Sequence, residues 1–189
     1  MKKIIALALV AAAGTASADA VNFDFNLENW GAVAENVIDF DFGLGNVASI
    51  DSLTITLAHS WASDIELFLT ASDASVFTMT DDLGTGVDLG DGGSTLPGVG
   101  TYTFVASSAN GNWGDIPAFD VAPSGEYQAL NWASGPFAAG TWNITLNDDA
   151  GGDDGAVGSV TINYTAVPAP ASVALLGLGG FAATRRRRA

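Results

Sequence analysis

The densest run of metal-type donors in the chain is Asp148, Asp149, Asp153 and Asp154, with Ala150, Gly151 and Gly152 between them. Carboxylates are hard oxygen donors, and glycines let the backbone curl so that carbonyl oxygens can join them, the donor set that calcium takes. The same residues also describe a solvated acidic loop. Repulsion among four carboxylates has to be relieved by water, salt or a hard divalent cation, since no Lys or Arg answers them. The segment Asp81–Gly93 invites a similar reading through Asp81, Asp82, Asp88 and Asp91. Its Gly84-Thr85-Gly86-Val87-Asp88 stretch echoes one calcium-binding nonapeptide repeat. That motif works by stacking many copies, so a single copy reads more simply as a flexible loop. No EF-hand spacing occurs.

Catalytic chemistry finds less to stand on. The single His59 has Ser60, Ser63 and Asp64 close by in sequence, whereas a nucleophile, base and orienting acid assemble from separated segments. There is no nucleophile-elbow motif, and the absence of Cys excludes thiol nucleophiles, thiolate zinc sites and disulfides. His59 is therefore expected to be structural. Carboxylates for glycoside hydrolysis are abundant, but nothing marks one of them as a proton donor. Among the tryptophans, Trp142 is in phase with Ile144 and Leu146 and belongs to a core face. Trp113 and Trp132 fall in a long connection, where the simplest duty is anchoring the loop. Exposed and coplanar beside a cleft, they would instead stack on sugars.

The elements that must hold these residues are strands. Phe23, Phe25 and Leu27 alternate with polar residues, as do Ile38, Phe40 and Phe42. Leu53, Ile55 and Leu57 share one face, and so do Ile65, Leu67 and Leu69. Val76–Thr80, Tyr102 with Phe104, Trp142 with Ile144 and Leu146, and Val160 with Ile162 and Tyr164 bring the total to about eight strands. No stretch between them keeps a helical period. Short strands separated by Gly and Asp loops predict an all-β sandwich of jelly-roll type. Two connections, Asp81–Gly100 and Ala106–Ala139, are long enough to be functional or tied down by something other than strand pairing.

Charge is distributed unevenly. The chain carries 21 acidic residues against 6 Lys and Arg, and the cations are confined to Lys2, Lys3 and Arg185–Arg188. From Val21 to Ala166 there is no Lys or Arg at all, which excludes nucleic acid as a partner because phosphates need cations to neutralise them. With 48% hydrophobic and 14% charged residues, the body can still form a packed core. Residues 1–20 read as a signal peptide: Lys2 and Lys3, the apolar run Ile4–Ala13, then the small-residue site Ala16-Ser17-Ala18. Residues 167–189 hold Val167-Pro168-Ala169-Pro170, an apolar stretch from Val173 to Ala183, and the four arginines. That stretch is shorter than the roughly 20 residues of a free-standing spanning helix. The order of its parts resembles the PEP-CTERM sorting signal of Gram-negative bacteria, with Val-Pro-Ala-Pro in place of Pro-Glu-Pro. The resemblance implies transient insertion in the inner membrane, recognition by an exosortase-type membrane protease, removal of the tail, and delivery to the cell surface or extracellular matrix. A permanent C-terminal anchor is the alternative.

The body, residues 21–166, has a resemblance of its own. His59-Ser60-Trp61-Ala62-Ser63-Asp64-Ile65-Glu66-Leu67-Phe68-Leu69, Gly125-Glu126-Tyr127 and Gly140-Thr141-Trp142-Asn143-Ile144-Thr145-Leu146 follow one another in order. The loop Asp148–Gly155 and the strand Ser159–Thr165 complete the series. Together these segments resemble the proprotein convertase P domain over Ser49–Thr165. The resemblance implies a β-sandwich jelly roll that binds calcium, with Asp148 and Asp153 at the calcium-associated positions, Asp154 beside them and Asp64 as a partner from the other matched segment. Val160 stands where that family usually has Trp, and the subtilisin-like protease that P domains accompany is not encoded here. The expectation is a non-enzymatic, calcium-stabilised protein of the cell surface or biofilm matrix. Its alternative is a carbohydrate-binding or hydrolytic protein acting on exopolysaccharide.

Overall fold

The computed structural model describes residues 16–30, 36–90, 98–152 and 155–168. The apolar run of the signal segment, the apolar stretch and arginines of the sorting segment, Asp91, Asp153 and Asp154 lie outside the described residues. Among the described residues no helix is long and apolar enough to cross a membrane.

Among the described residues every regular element apart from two short 3₁₀ turns is a strand, and the strands form two sheets. Strands β1 (Ser17–Trp30), β3 (Val47–His59), β7 (Gly100–Val105) and β11 (Gly155–Ala166) build most of the larger sheet, joined by β6 (Asp88–Leu89), β8 (Val121–Ala122) and β9 (Gly125–Gln128). The smaller sheet has the order β2-β10-β4-β5, from β2 (Asn36–Leu44), β10 (Gly140–Asp148), β4 (Ile65–Thr70) and β5 (Val76–Asp81).

The apolar faces of the alternating segments meet in one core. Leu53, Ile55 and Leu57 of β3, Ile65, Leu67 and Leu69 of β4, and Trp142, Ile144 and Leu146 of β10 are all buried, as their period of two requires. Phe23 of β1 lies edge-on to Phe40 and Phe42 of β2, with centroids 4.7 and 5.0 Å away, and links the two sheets at their rim.

Among the described residues eleven strands stand where the alternation marks about eight. The three extra strands, β6, β8 and β9, all lie in the two long connections. They are too short to carry a period. Two of their pairings are parallel, β6 with β8 and β7 with β9. The second connection is held by more than these strands. Trp113 begins a 3₁₀ turn whose Asn112 side chain accepts the Gly114 N–H at 2.8 Å, while Asp115 accepts the Asn112 N–H at 2.9 Å. Its indole is 1% exposed and packs edge-on against Tyr102 and Phe104 at 5.3 and 5.1 Å.

Candidate functional site

Three loops converge at one end of the smaller sheet. The 3₁₀ turn Ala62–Asp64 leads into β4, the end of β5 carries Asp81 and Asp82, and the end of β10 carries Asn147, Asp148 and Asp149. Register fixes the alignment. Glu66 lies opposite Asp81 on one side and Asn147 on the other, while Asp148 lies opposite Ile65. The Asp149 N–H donates to the Asp64 carbonyl at 3.0 Å and closes the turn onto the strand end.

A β-bulge decides which side chains face this end. Phe68 pairs with Thr78 but Leu67 pairs with Thr80, so Met79 is the extra residue on β5. Without it, Thr80 would stand opposite Glu66 and Asp81 would turn inward. With it, both Met79 and Thr80 are buried, and Asp81 emerges beside Glu66. Asp82 follows with φ of 52°, a left-handed conformation that is uncommon for a non-glycine residue, and folds back toward the same place.

Glu66, Asp81 and Asp82 each bring a carboxylate oxygen within 4.8 Å of the other two. Burial holds the Asp82 carboxyl above its ordinary value of 3.8, and the charges of Asp149, Asp81 and Glu66 raise it further. Asn147 donates its side-chain N–H to Glu66 Oε2 at 2.8 Å, while its Oδ1 is buried with no hydrogen-bond partner. The donors are all oxygen, and Asp149 adds a fourth negative charge nearby. This is the chemistry of a hard divalent cation rather than of zinc or copper.

The sequence-designated residues are placed as follows. Asp64 ends the turn before β4 and Asp148 ends β10, and the two segments meet through the Asp149 N–H donating to the Asp64 carbonyl. Asp64 accepts a 3.4 Å hydrogen bond from the Ser63 hydroxyl. Asp148 is 0% exposed; its Oδ1 accepts the Ala150 N–H at 3.3 Å, and its Oδ2 faces His59 Nε2 at 3.7 Å. His59, 2% exposed, has its other ring nitrogen 3.1 Å from the Trp61 N–H. Asp148 thus faces a buried histidine, and the carboxylates that converge are instead Glu66, Asp81 and Asp82. Asp153 and Asp154 lie outside the described residues. Asp81 and Asp82 belong to the second acidic segment singled out in the sequence. Glu66 was not singled out, although it is the one charged residue in the apolar run Ile65–Leu69 and must face outward there.

The two tryptophans of the long connection form no stacking platform. Trp113 is in the core, and Trp132 packs edge-on against Phe77 at 5.2 Å while its indole N–H donates to the Ile50 carbonyl at 3.2 Å.

No protein-family model matches the chain, and no curated protein aligns with it. Among solved structures it is similar to a serine protease of Aeromonas sobria crystallised with its chaperone, at 9% identity and a TM-score of 0.43 over 83% of this chain and 28% of that one. It is also similar to the serine protease of Aeromonas sobria, at 10% identity and a TM-score of 0.41 over 81% of this chain and 27% of that one. The chain therefore spans little more than a quarter of the length of these neighbours.

Proposed function

We propose that the chain is an exported, non-enzymatic module of the cell surface or extracellular matrix, a jelly-roll sandwich of P-domain type braced by calcium and sorted by an exosortase-type system. The observation that carries the calcium site is the convergence of Glu66, Asp81 and Asp82 at one end of the smaller sheet. The order of elements in residues 1–20 and 167–189 supports export and sorting. The absence of a separated nucleophile, base and acid in the sequence supports a role outside catalysis. In this reading Glu66, Asp81 and Asp82 hold the ion, and Asn147 orients Glu66 through its 2.8 Å hydrogen bond. Bound calcium would neutralise a cluster that the fold otherwise holds together against its own repulsion.

Thermal melting of the purified protein in calcium chloride, beside sodium chloride at matched ionic strength, tests this. Extracellular calcium modules bind at roughly 10⁻⁴ to 10⁻³ M. At about 100 times the dissociation constant the ion adds about 2.7 kcal/mol, and each kcal/mol moves the midpoint of a domain this size by roughly 2 to 4 °C. A rise of about 5 to 10 °C specific to calcium is expected, smaller with magnesium, and absent in the Glu66→Gln/Asp81→Asn double variant. An equal rise in sodium, or a parent-like response of the double variant, sinks the calcium site.

A further inference from the structure

An unpaired strand edge offers main-chain donors and acceptors to any extended chain, and folds guard such edges with bulges, short strands or covering loops. Among the described residues three of the four sheet margins carry a guard. The edge of β5 is covered by Asn131, which exchanges two backbone hydrogen bonds with Thr78 at 3.0 Å and donates its side-chain amide to the Val76 carbonyl at 2.6 Å. At the far margin of the larger sheet β8 and β9 have only two and four residues. At its near margin β1 is interrupted by a register shift between Asp24 and Glu28, which bends the strand and breaks its edge.

The fourth margin is β2. It pairs with β10 from Asn36 opposite Asp148 to Leu44 opposite Gly140 without a shift, and among the described residues no strand lies on its other side. It contains no Pro, Lys or Arg. Its side chains alternate: Ile38, Phe40 and Phe42 are half-buried against the core, while Val37, Asp39 and Asp41 are exposed on the outer face. Phe23 and Phe25 of β1 reach Phe40 from the other sheet at 4.7 and 5.7 Å, and all four rings keep part of their surface in water. A strand laid along β2 would complete their burial.

Charge selects which strand that is. The Asn143 side-chain amide donates to both Asp39 and Asp41, at 2.6 and 3.0 Å, and fixes the two carboxylates on the outer face. No Lys or Arg between Val21 and Ala166 answers them. A second copy of β2 is a poor partner, because antiparallel registers centred on Asp39, Phe40 or Asp41 each set acid opposite acid. A strand with cations at alternate positions places them opposite the carboxylates and lays its intervening apolar residues over Phe40 and Phe42.

We propose that the free edge of β2 receives an extended segment of another protein in which Lys or Arg alternates with apolar residues. Main-chain hydrogen bonds supply the attachment, and Asp39 and Asp41 supply the selectivity. The chain's own arginines do not fit, because Arg185–Arg188 are consecutive. The proposal goes beyond the calcium reading and uses none of its residues, since β2 and β5 are opposite edges of the smaller sheet.

NMR titration of the full chain in EDTA with the end-capped peptide Val-Lys-Val-Lys-Val-Lys-Val tests it, independently of calcium. The controls are the same peptide with Glu for Lys, and a peptide of the same composition with its lysines consecutive. The alternating lysine peptide should bind saturably and slow hydrogen exchange at every second β2 amide, those facing away from β10. The glutamate peptide should not bind, and the consecutive-lysine peptide, which meets only net charge, should bind about tenfold more weakly. Asp39→Asn/Asp41→Asn keeps acceptors for Asn143 and should weaken the alternating peptide about tenfold, with a flatter salt dependence. Absence of binding, equal binding of either control, new protection confined to strands other than β2, or unchanged affinity in the double variant overturns the proposal. So does a parent protein that already dimerises through β2.

Discussion

At the residue scale, two carboxylates at one end of the smaller sheet sit in different surroundings. Asp82 shares its surroundings with Glu66, Asp81 and Asp149, and burial together with those charges raises its pKa. A carboxyl raised in the fold favours folding while it is protonated, and that contribution is lost as pH climbs through the raised value. Asp82→Asn in EDTA should therefore match the parent below pH 3.8 and melt higher above the raised pKa, a gap that pH-resolved melting curves read directly. In calcium the order should reverse, because the variant has lost a ligand. Asp148 is fully buried instead, with its Oδ2 3.7 Å from the buried His59 Nε2. Removing one member of a buried pair leaves the other without compensation, at a cost of about 3 to 5 kcal/mol. His59→Ala should show a loss of that order by urea unfolding, and a His59→Leu/Asp148→Asn double variant should lose less than the sum of the singles.

At the scale of elements, the two-residue strands β6 and β8 depend on a side chain more than on their own ladder. The Tyr102 hydroxyl accepts the Gly90 N–H at 2.5 Å and donates to the Ala122 carbonyl at 3.2 Å, bridging the ends of both. Tyr102→Phe keeps the ring in the core and strands two buried backbone groups, which costs about 1 to 3 kcal/mol. Hydrogen exchange should then speed up at Asp88 and Gly90 while β3 and β10 keep their protection. If protection falls evenly over both sheets, β6 and β8 are not a separable unit.

The whole molecule is governed by its charge. All the acidic residues but Asp19 lie in the Val21–Ala166 body, with no Lys or Arg to meet them. Raising sodium chloride from about 10 to about 150 mM shortens the screening length from about 30 to about 8 Å, so the melting point should climb over that range and then level off. Calcium added on the plateau should raise it again, because a site-bound ion acts where screening cannot. A melting point indifferent to salt would mean that the carboxylates are too far apart to repel one another.

Much of this architecture was legible in the residues. The eight alternating segments correspond to β1 to β5, β7, β10 and β11, because a strand with one buried face must repeat every two residues. The in-phase burial of Trp142, Ile144 and Leu146 follows from the same rule. The fate of the acidic residues did not follow from it. Asp148 continues the inward phase of β10 and so meets His59, a contact between strands that no spacing along the chain displays. Glu66 and Asp81 meet because Met79 is an extra residue in β5 and flips everything after it to the opposite face. Periodicity speaks for one strand at a time. Which carboxylates share an ion-sized space was settled by register, and register is set by a bulge, a turn and a neighbouring strand acting together.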